Sequence, residues 1–171
     1  MWIDTFIPYG SEERLADAYN RCMSQAQSEW VLLLDHDVYL ATNPIWHKIC
    51  SACIKKVPCD VGMLTCVTYG RNGFDLAKPQ SDNVETNMLY AGIMYNKYGT
   101  ELGEIENYRR AGFFMLVRKT AWVTTPFRDM GRGVDKIDHD FCKRLMENNW
   151  RIMIMKGLYM YHHKHRSRIK K

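Results

Sequence analysis

Two carboxylates, Asp35 and Asp37, directly follow the apolar run Trp30–Leu34. Consecutive branched aliphatic residues bounded by polar ones predict a strand that is covered on both faces of an α/β sheet. In open α/β sheets, ligands bind just beyond the carboxyl ends of the strands, where these carboxylates would emerge. Because residues two apart on an extended chain point the same way, both side chains can face one divalent cation. The alternative is an ordinary turn after a strand, where Asp is common.

A second acidic segment, Asp138-His139-Asp140, stands at the predicted start of a helix over residues 138–148. A hydroxyl group has a high pKa and needs a positioned base when it acts as a nucleophile. Asp138 could be that base, or the helix N-cap, or both. Since a helix N-terminus favours the ionised carboxylate, we expect the pKa of Asp138 to be low.

The end of the chain combines histidines with basic side chains. Residues 162–171 carry five Lys and Arg and no acid, which equals the whole formal net charge of +5. Such a tail could be solvated, could hold a diphosphate, or could contact nucleic acid or anionic lipid. Three imidazoles, His162, His163 and His165, could also complete the coordination of a metal ion, since imidazole suits Mn²⁺ better than Mg²⁺. Their alternative is an exposed basic tail.

The length of 171 residues and the 46% of hydrophobic residues are typical of one globular domain with its own core. We therefore expect a single domain over residues 1–171, with 162–171 as a basic tail. No apolar run approaches the ~20 residues that a membrane span needs. The N-terminal residues lack the basic and apolar regions of a signal peptide, which predicts a cytoplasmic location and reduced cysteines.

The hydrophobic pattern alternates between strands and helices. A helix with a loose capping pattern is expected to start near Ser11, and another follows Asn43 and Pro44 over 45–55. Loops are expected over 69–84, with one short helix near 85–95. The predicted strands are 2–8, Trp30–Leu34, Val61–Val67, 111–117, 151–155 and 158–162, the last two joined by a turn at Lys156-Gly157.

Several motifs in this order resemble a known family. They are Ile7-Pro8, Ala18-Tyr19-Asn20, Asp35-His36-Asp37, the apolar segment 112–116, Asp138-His139-Asp140-Phe141 and Tyr161-His162-His163. Together they resemble a family 2-type glycosyltransferase with the GT-A fold, in a compact version, over residues 3–165. The resemblance implies an α/β, Rossmann-like, single-domain architecture with a mixed sheet flanked by helices.

The resemblance also implies roles for individual residues. It makes Asp37 the first metal ligand, with Asp35 and a late histidine, His162 before His163, beside it. Asp138 becomes the base of an inverting single displacement, and Mn²⁺ or Mg²⁺ the cofactor. The remaining implied sites are nucleotide and sugar binding at Pro8, Tyr9, Asn20, Asp35, Asp37, Lys164 and Arg166, and the acceptor side at Gly112, Phe113 and Asp140.

This chain departs from the family pattern in three places. The strand and helix that usually lie between Ile-Pro and the Ala-Arg-Asn-like helix are absent, which puts recognition of the nucleotide base in doubt. Tyr19 stands where the family often has Arg. Ile137 stands at the Glu of a Glu-Asp pair, which leaves Asp138 as the matching acid.

We therefore expect a metal-dependent glycosyltransferase that moves a sugar from a nucleotide diphosphate, UDP before GDP, to a hydroxyl acceptor on a glycan, a lipid-linked molecule or a protein. Peripheral membrane contact through the basic tail is a further expectation. The alternatives are a nucleotidyltransferase, a non-catalytic sugar-nucleotide binder, and a basic nucleic-acid-binding module. The first would need a basic Gly-rich loop after the first strand, whereas residues 8–13 are acidic. The last leaves both Asp-His-Asp segments unexplained, so nucleic acid is not the expected partner.

Overall fold

The structure is a computed structural model, and it describes residues 2–9, 13–68, 82–105, 112–130 and 137–163. Some of the residues and segments singled out above lie outside these ranges. They are Ser11, most of the loop segment 69–84, the start of the strand expected over 111–117, Lys164, His165, Arg166 and the rest of the basic tail.

Eight strands and five helices are formed by the described residues. The strands are β1 Asp4–Phe6, β2 Trp30–Leu34, β3 Val38–Tyr39, β4 Val61–Val67, β5 Leu102–Glu104, β6 Phe114–Arg118, β7 Arg151–Tyr159 and β8 Tyr161–His162. The helices are α1 Leu15–Gln25, α2 Trp46–Ile54, α3 Val84–Tyr98, α4 Lys119–Thr124 and α5 Ile137–Glu147, and a short 3-10 turn spans Leu40–Thr42.

Six strands form one mixed sheet in the order β1-β2-β6-β4-β7-β5. The pairs β1–β2 and β4–β7 are parallel, whereas β6 runs antiparallel to both β2 and β4, and β5 antiparallel to β7. The expected α/β fold with a mixed sheet is confirmed. Among the described residues, α1 is the one element between β1 and β2. The additional strand and helix of the family pattern do not occur in this part of the structure, as expected from the sequence.

The strand β2 is buried along its whole length, as its apolar run predicts. Its side chains alternate between two cores, because successive residues of a strand point to opposite faces. Val31 and Leu33 pack with α1, α3 and α5, and Leu32 and Leu34 pack with α2. These two cores fix the depth at which β2 ends and its polar residues begin.

The last predicted strand pair is wrong. No turn interrupts residues 151–159, and β7 continues through Gly157. Gly157 serves close packing there, because a Cβ atom would lie 2.0 Å from the carbonyl oxygen of Gly99. The chain then leaves the main sheet, and β8 pairs antiparallel with β3 in a separate two-stranded ribbon.

Several boundaries also differ from the sequence prediction. Helix α1 begins at Leu15, after Arg14, which makes no side-chain capping bond, and α2 begins at Trp46. Helix α3 has 15 residues because the Asn83 side chain caps its start and Gly99, at φ 52°, ends it. No disulfide joins the six cysteines. No helix among the described residues is long and apolar enough to cross a membrane.

Candidate active site at the carboxyl end of β2

The first carboxylate of the site, Asp35, follows β2 and lies beside the start of β6. Its backbone N–H donates to the Phe113 carbonyl oxygen at 3.0 Å, which continues the β2–β6 ladder by one residue. The Asp35 carbonyl then accepts from the Val38 N–H at 3.3 Å and closes a turn. This turn presents Asp37 beside Asp35 at the end of the buried strand, as the sequence predicts.

The ribbon of β3 and β8 brings His162 to these carboxylates. Val38 pairs with His162, and the Asp37 carbonyl accepts from the His163 N–H at 2.9 Å. The Nε2 atom of His162 lies 2.9 Å from Asp37 Oδ1 and 3.6 Å from Asp35 Oδ2. Its ring stacks on the buried Phe113 at a centroid distance of 5.3 Å and an interplanar angle of 13°. One ligand atom from each of Asp35, Asp37 and His162 lies within 4.8 Å of the others.

Burial raises the pKa of Asp35, and the negative charges of Asp37 and Asp138 raise it further, while His162 opposes the shift. Several carboxylates at close range disfavour ionisation in one another unless a cation offsets their charge. Oxygen and imidazole ligands that converge in this way suit a divalent ion such as Mn²⁺. The residues present therefore fit a metal ion.

Asp138 lies in the first turn of α5, and a hydrogen bond from Gly112 joins it to the segment that precedes β6. Its Oδ2 atom accepts from the Gly112 N–H at 2.6 Å. A Cβ atom on Gly112 would lie 2.5 Å from the Cβ atom of Asp138, so only glycine permits this approach. The Oδ1 atom of Asp138 is buried and has no hydrogen-bond partner within the described ranges.

The N-cap alternative for Asp138 and the low pKa expected for it are both wrong. Since α5 begins at Ile137, Asp138 stands inside the helix and not at the N-cap. Its pKa is raised, because burial outweighs the charge of His139 and the bonds from backbone N–H groups that favour the carboxylate. A buried carboxyl with a raised pKa and an unpartnered oxygen has the properties of a proton acceptor.

Two arginines bind the Asp140 carboxylate, so it is not available as a proton acceptor. Arg128 binds both of its oxygens, with contacts of 2.7 to 3.1 Å, and Arg144 binds Oδ2 at 2.7 Å. These ion pairs lower the pKa of Asp140 against the effect of its burial. Asp140 is thus bound to the protein and helps to fix the start of α5, which carries Asp138.

The predicted nucleotide-side residues occupy two different environments. Asn20 is committed to the protein, because its amide donates to the Phe127 carbonyl and its oxygen accepts from Phe127 N–H and Trp122 Nε1. Pro8 is half-buried and Tyr9 is 74% exposed, just beyond β1. Lys164 and Arg166 lie outside the described residues.

Tyr19 lies close to the acidic cluster. Its ring stacks on Phe127, and Phe127 stacks on Phe141 of α5. Burial, with the charges of Asp35 and Asp138, raises the pKa of Tyr19. This aromatic stack connects α1 to α5 behind the carboxylates.

His163 is not part of the Asp35, Asp37 and His162 group. Its Nδ1 atom lies 3.1 Å from the Tyr161 hydroxyl, which also bonds Asp82. Sequence reasoning assigned no contact to Asp82 or to the Tyr161 hydroxyl. The signal available was the alternation Tyr161-His162-His163, which in a strand separates His162 from its two neighbours.

Comparison with known proteins gives a fold and no family. No family model matches the chain, and no curated protein matches it. Two matching structures are of S. aureus TarS residues 1–349, with TM-scores of 0.54 and sequence identities of 20% and 22%. Each covers 86% of this chain, which spans 39% and 38% of those chains, and one is a complex with UDP-GlcNAc. The chain therefore has a glycosyltransferase-like α/β fold.

Proposed function

We propose that this chain is a metal-dependent glycosyltransferase that moves a sugar from a nucleotide diphosphate to a hydroxyl acceptor. The observation that carries the proposal is the convergence of Asp35, Asp37 and His162 within 4.8 Å at the carboxyl end of β2. A similar fold binds UDP-GlcNAc in TarS, which supports a UDP-sugar as donor. A GDP-sugar is the second choice.

Asp37 and His162 would hold the metal ion, with Asp35 as a further ligand or as a contact to the sugar. The Nε2 atom of His162 lies 2.9 Å from Oδ1 of Asp37, and this close approach of two ligand atoms supports the assignment. The stacked Phe113 ring keeps the imidazole in that orientation. When bound, the cation would neutralise the charge that develops on the leaving diphosphate.

Asp138 would take the proton of the attacking hydroxyl. Its Oδ2 atom is fixed by Gly112, so the Oδ1 atom is left to accept that proton. Burial has already raised the pKa of this carboxyl, which strengthens it as a base. Attack from the side opposite the leaving group would be a single displacement with inversion. Gly112 would then line the acceptor side through its contact with Asp138, and Phe113 would act by orienting His162.

The exposed Tyr9, with Pro8, would contact the nucleotide base, since no strand occupies that position between β1 and β2 in the described ranges. Lys164 and Arg166 would bind the diphosphate as basic side chains. The acceptor could be a glycan, a lipid-linked molecule or a protein, and the basic tail could bring the chain to an anionic membrane surface.

Calorimetric titration of UDP, GDP and UDP-GlcNAc into the protein, first with Mn²⁺ and then with EDTA, tests the proposal. We expect binding of a uridine nucleotide that requires Mn²⁺ and that Asp37→Ala abolishes. Asp17→Ala, an exposed carboxylate in the first turn of α1, is the matched control and should bind normally. A folded protein that binds neither UDP nor GDP with Mn²⁺ would overturn the proposal.

A non-catalytic sugar-nucleotide binder is the second candidate, because the described residues between β1 and β2 form no strand that could contact the base as in the resembled family. It predicts the same calorimetric result and no release of UDP from the donor. Measurement of UDP release over a panel of donors and hydroxyl acceptors separates the two functions.

A further inference from the structure

Helix α3 carries apolar side chains on both its inner and its outer face. The inner face packs on the core through Ala91 and Met94, which are 3% and 1% exposed. The outer face carries Met88, Leu89 and Ile93, whose exposed fractions are 42%, 71% and 59%. Leu89 and Ile93 are one helical turn apart, and Met88 stands beside Leu89. These three side chains therefore form an apolar stripe along the outside of α3.

The two other long helices on the same side of the sheet expose polar residues instead. Helix α1 exposes Asp17 and Arg21, and α5 exposes Lys143 and Glu147. A surface helix normally has a polar outer side, whereas a helix that is apolar on all sides is normally covered on all sides. Of the eleven large apolar side chains that are exposed in the described part of the chain, five belong to α3. The outer face of α3 thus has the composition of a covered surface.

Positive charge lies at both ends of this stripe. At the carboxyl end of α3, Lys97 is exposed, and the exposed Lys56 donates from Nζ to Thr100 Oγ1 at 2.5 Å. At the amino end, the Tyr161 hydroxyl donates to Oδ1 of Asp82, two residues before α3, at 2.9 Å. The basic tail, residues 162–171, directly follows Tyr161 and carries five Lys and Arg and no acid. The tail therefore starts beside the amino end of α3.

We propose that the outer face of α3 docks on an anionic lipid bilayer, with Met88, Leu89 and Ile93 inserted at the level of the headgroups and upper lipid chains. The basic tail and Lys97 then contact the lipid phosphates. A single weak membrane signal gives reversible binding, and an apolar element combined with a basic segment gives stable binding. This docking goes beyond the proposed transfer function and does not depend on it.

The charge around the stripe favours a membrane over a second copy of this chain. In a twofold dimer the same surface of both copies meets, so two α3 helices and their neighbouring tails would come together. Each tail carries five positive charges, and Glu85 is the one acid within α3. Like charges at close range oppose such an interface, whereas an anionic lipid surface attracts both tail and helix.

Co-sedimentation of the full chain with lipid vesicles tests the docking. The vesicles are either phosphatidylcholine alone or an equimolar mixture of phosphatidylcholine and phosphatidylglycerol, at about 0.1 M salt. Each Lys or Arg that reaches an anionic surface strengthens binding about fivefold. We therefore expect the mixed vesicles to bind the chain at least about tenfold more tightly than phosphatidylcholine does. No binding to the mixed vesicles, or equal binding to both kinds, would overturn the proposal.

The double substitution Leu89→Gln and Ile93→Gln tests the apolar stripe itself. We expect binding to the mixed vesicles to weaken at least about tenfold, because two aliphatic side chains no longer enter the lipid. Val123→Gln is the matched control, since Val123 is 68% exposed, as Leu89 is 71% exposed, but lies in α4. It should bind as the wild type does. Equal binding by the double variant and the wild type would show that the tail acts alone and would overturn the role of α3.

Folding of the variants is checked by urea unfolding. The substituted side chains are exposed, so we expect unfolding midpoints close to that of the wild type. If the double variant were unstable, Leu89→Gln alone would carry the same test, with an expected loss of at least about threefold.

Sedimentation velocity without vesicles examines a second copy of the chain as the alternative occupant. We expect the wild type and the Leu89→Gln, Ile93→Gln variant to sediment alike, as monomers. A wild-type dimer that these substitutions dissociate would assign the stripe to self-association and overturn the membrane proposal. None of these measurements needs a sugar donor or an acceptor, so failure of the proposed transfer function would leave the result for α3 standing.

Discussion

The substitution Asp138→Asn separates substrate binding from chemistry. The amide has the same shape as the carboxyl and can still accept from the Gly112 N–H, which Asp138 binds at 2.6 Å. It cannot take a proton from a hydroxyl group. If Asp138 is the base, turnover should fall while the nucleotide, for which we propose binding at Asp35 and Asp37, binds as before.

The size of the loss follows from general-base catalysis, which contributes about 10²- to 10⁴-fold to a rate. This corresponds to about 3 to 5.5 kcal/mol of transition-state stabilisation. We expect the calorimetric Kd for UDP with Mn²⁺ to stay within about twofold of the wild type, which is a change in binding free energy below ~0.5 kcal/mol. If Asp138→Asn weakened UDP binding by as large a factor as it slowed turnover, Asp138 would be shaping the binding site.

The assay is UDP release from the donor that binds, with the hydroxyl acceptor that supports the fastest turnover. Asp17→Asn is the control, because Asp17 stands in the first turn of α1 as Asp138 stands in the first turn of α5, but is exposed. Near-normal turnover of Asp138→Asn, with Asp17→Asn also normal, would refute the assignment of the base.

Stability against pH gives a readout that does not depend on activity. Burial raises the pKa of Asp138, so the folded chain keeps this proton to a higher pH than the unfolded chain does. Stability from this group is therefore present at low pH and is lost as the pH rises from the unfolded pKa through the folded one. Asp138→Asn should lose less stability over that interval than the wild type, as measured by urea unfolding at several pH values. An identical pH dependence would contradict a buried, ionising Asp138.

Three further substitutions test packing and charge. Gly112→Ala puts a methyl group 2.5 Å from the Cβ atom of Asp138 and should reduce turnover more than UDP binding, since it displaces the base. Gly157→Ala would meet the Gly99 carbonyl oxygen at 2.0 Å and should destabilise the fold by about 2 kcal/mol or more, measured by urea unfolding. Asp4 accepts from several donors after α1, led by a backbone N–H, which lowers its pKa to about 2. Asp4→Asn should therefore cost about 1 kcal/mol at neutral pH after allowance for solvent screening, and the cost should disappear as the pH falls from the unfolded value of 3.8 through about 2.

The glycine predictions share one control, Gly92→Ala in α3, where an added Cβ atom meets nothing within 4 Å. It should leave turnover unchanged and raise stability by up to about 1 kcal/mol. A Gly157→Ala protein as stable as this control would show that Gly99 moves aside without cost. For Asp4→Asn, a loss of stability that is the same at pH 2 and pH 7 would contradict the charge-based argument.

The sequence by itself determined where the carboxylates Asp35 and Asp37 stand in the fold. The apolar run Trp30–Leu34 has the length and composition of a strand buried on both faces, and it ends directly before Asp35. Strong local patterns of this kind survive folding because burial and periodicity agree. The predicted bounds of β4, Val61–Val67, are confirmed for the same reason.

Weaker local signals gave wrong details. Lys156-Gly157 has the composition of a turn, yet β7 runs through it because Gly99 packs against Gly157 and Lys156 N–H bonds the Glu101 carbonyl. Those partners are more than fifty residues away in the chain, so no local pattern contains them. The pKa of Asp138 was mispredicted likewise, since its burial depends on neighbours that the helix does not include.

Only the tertiary structure decided which histidine joins the carboxylates. His162 and His163 are adjacent residues of the same type, so the sequence does not distinguish them. With β8 paired to β3 in the observed register, His162 contacts Asp37 and His163 contacts Tyr161. A shift of that register by one residue would exchange their roles, because strand side chains alternate between faces. The sequence supplied the types of side chain, and the pairing of β3 with β8 determined which of their atoms come into contact.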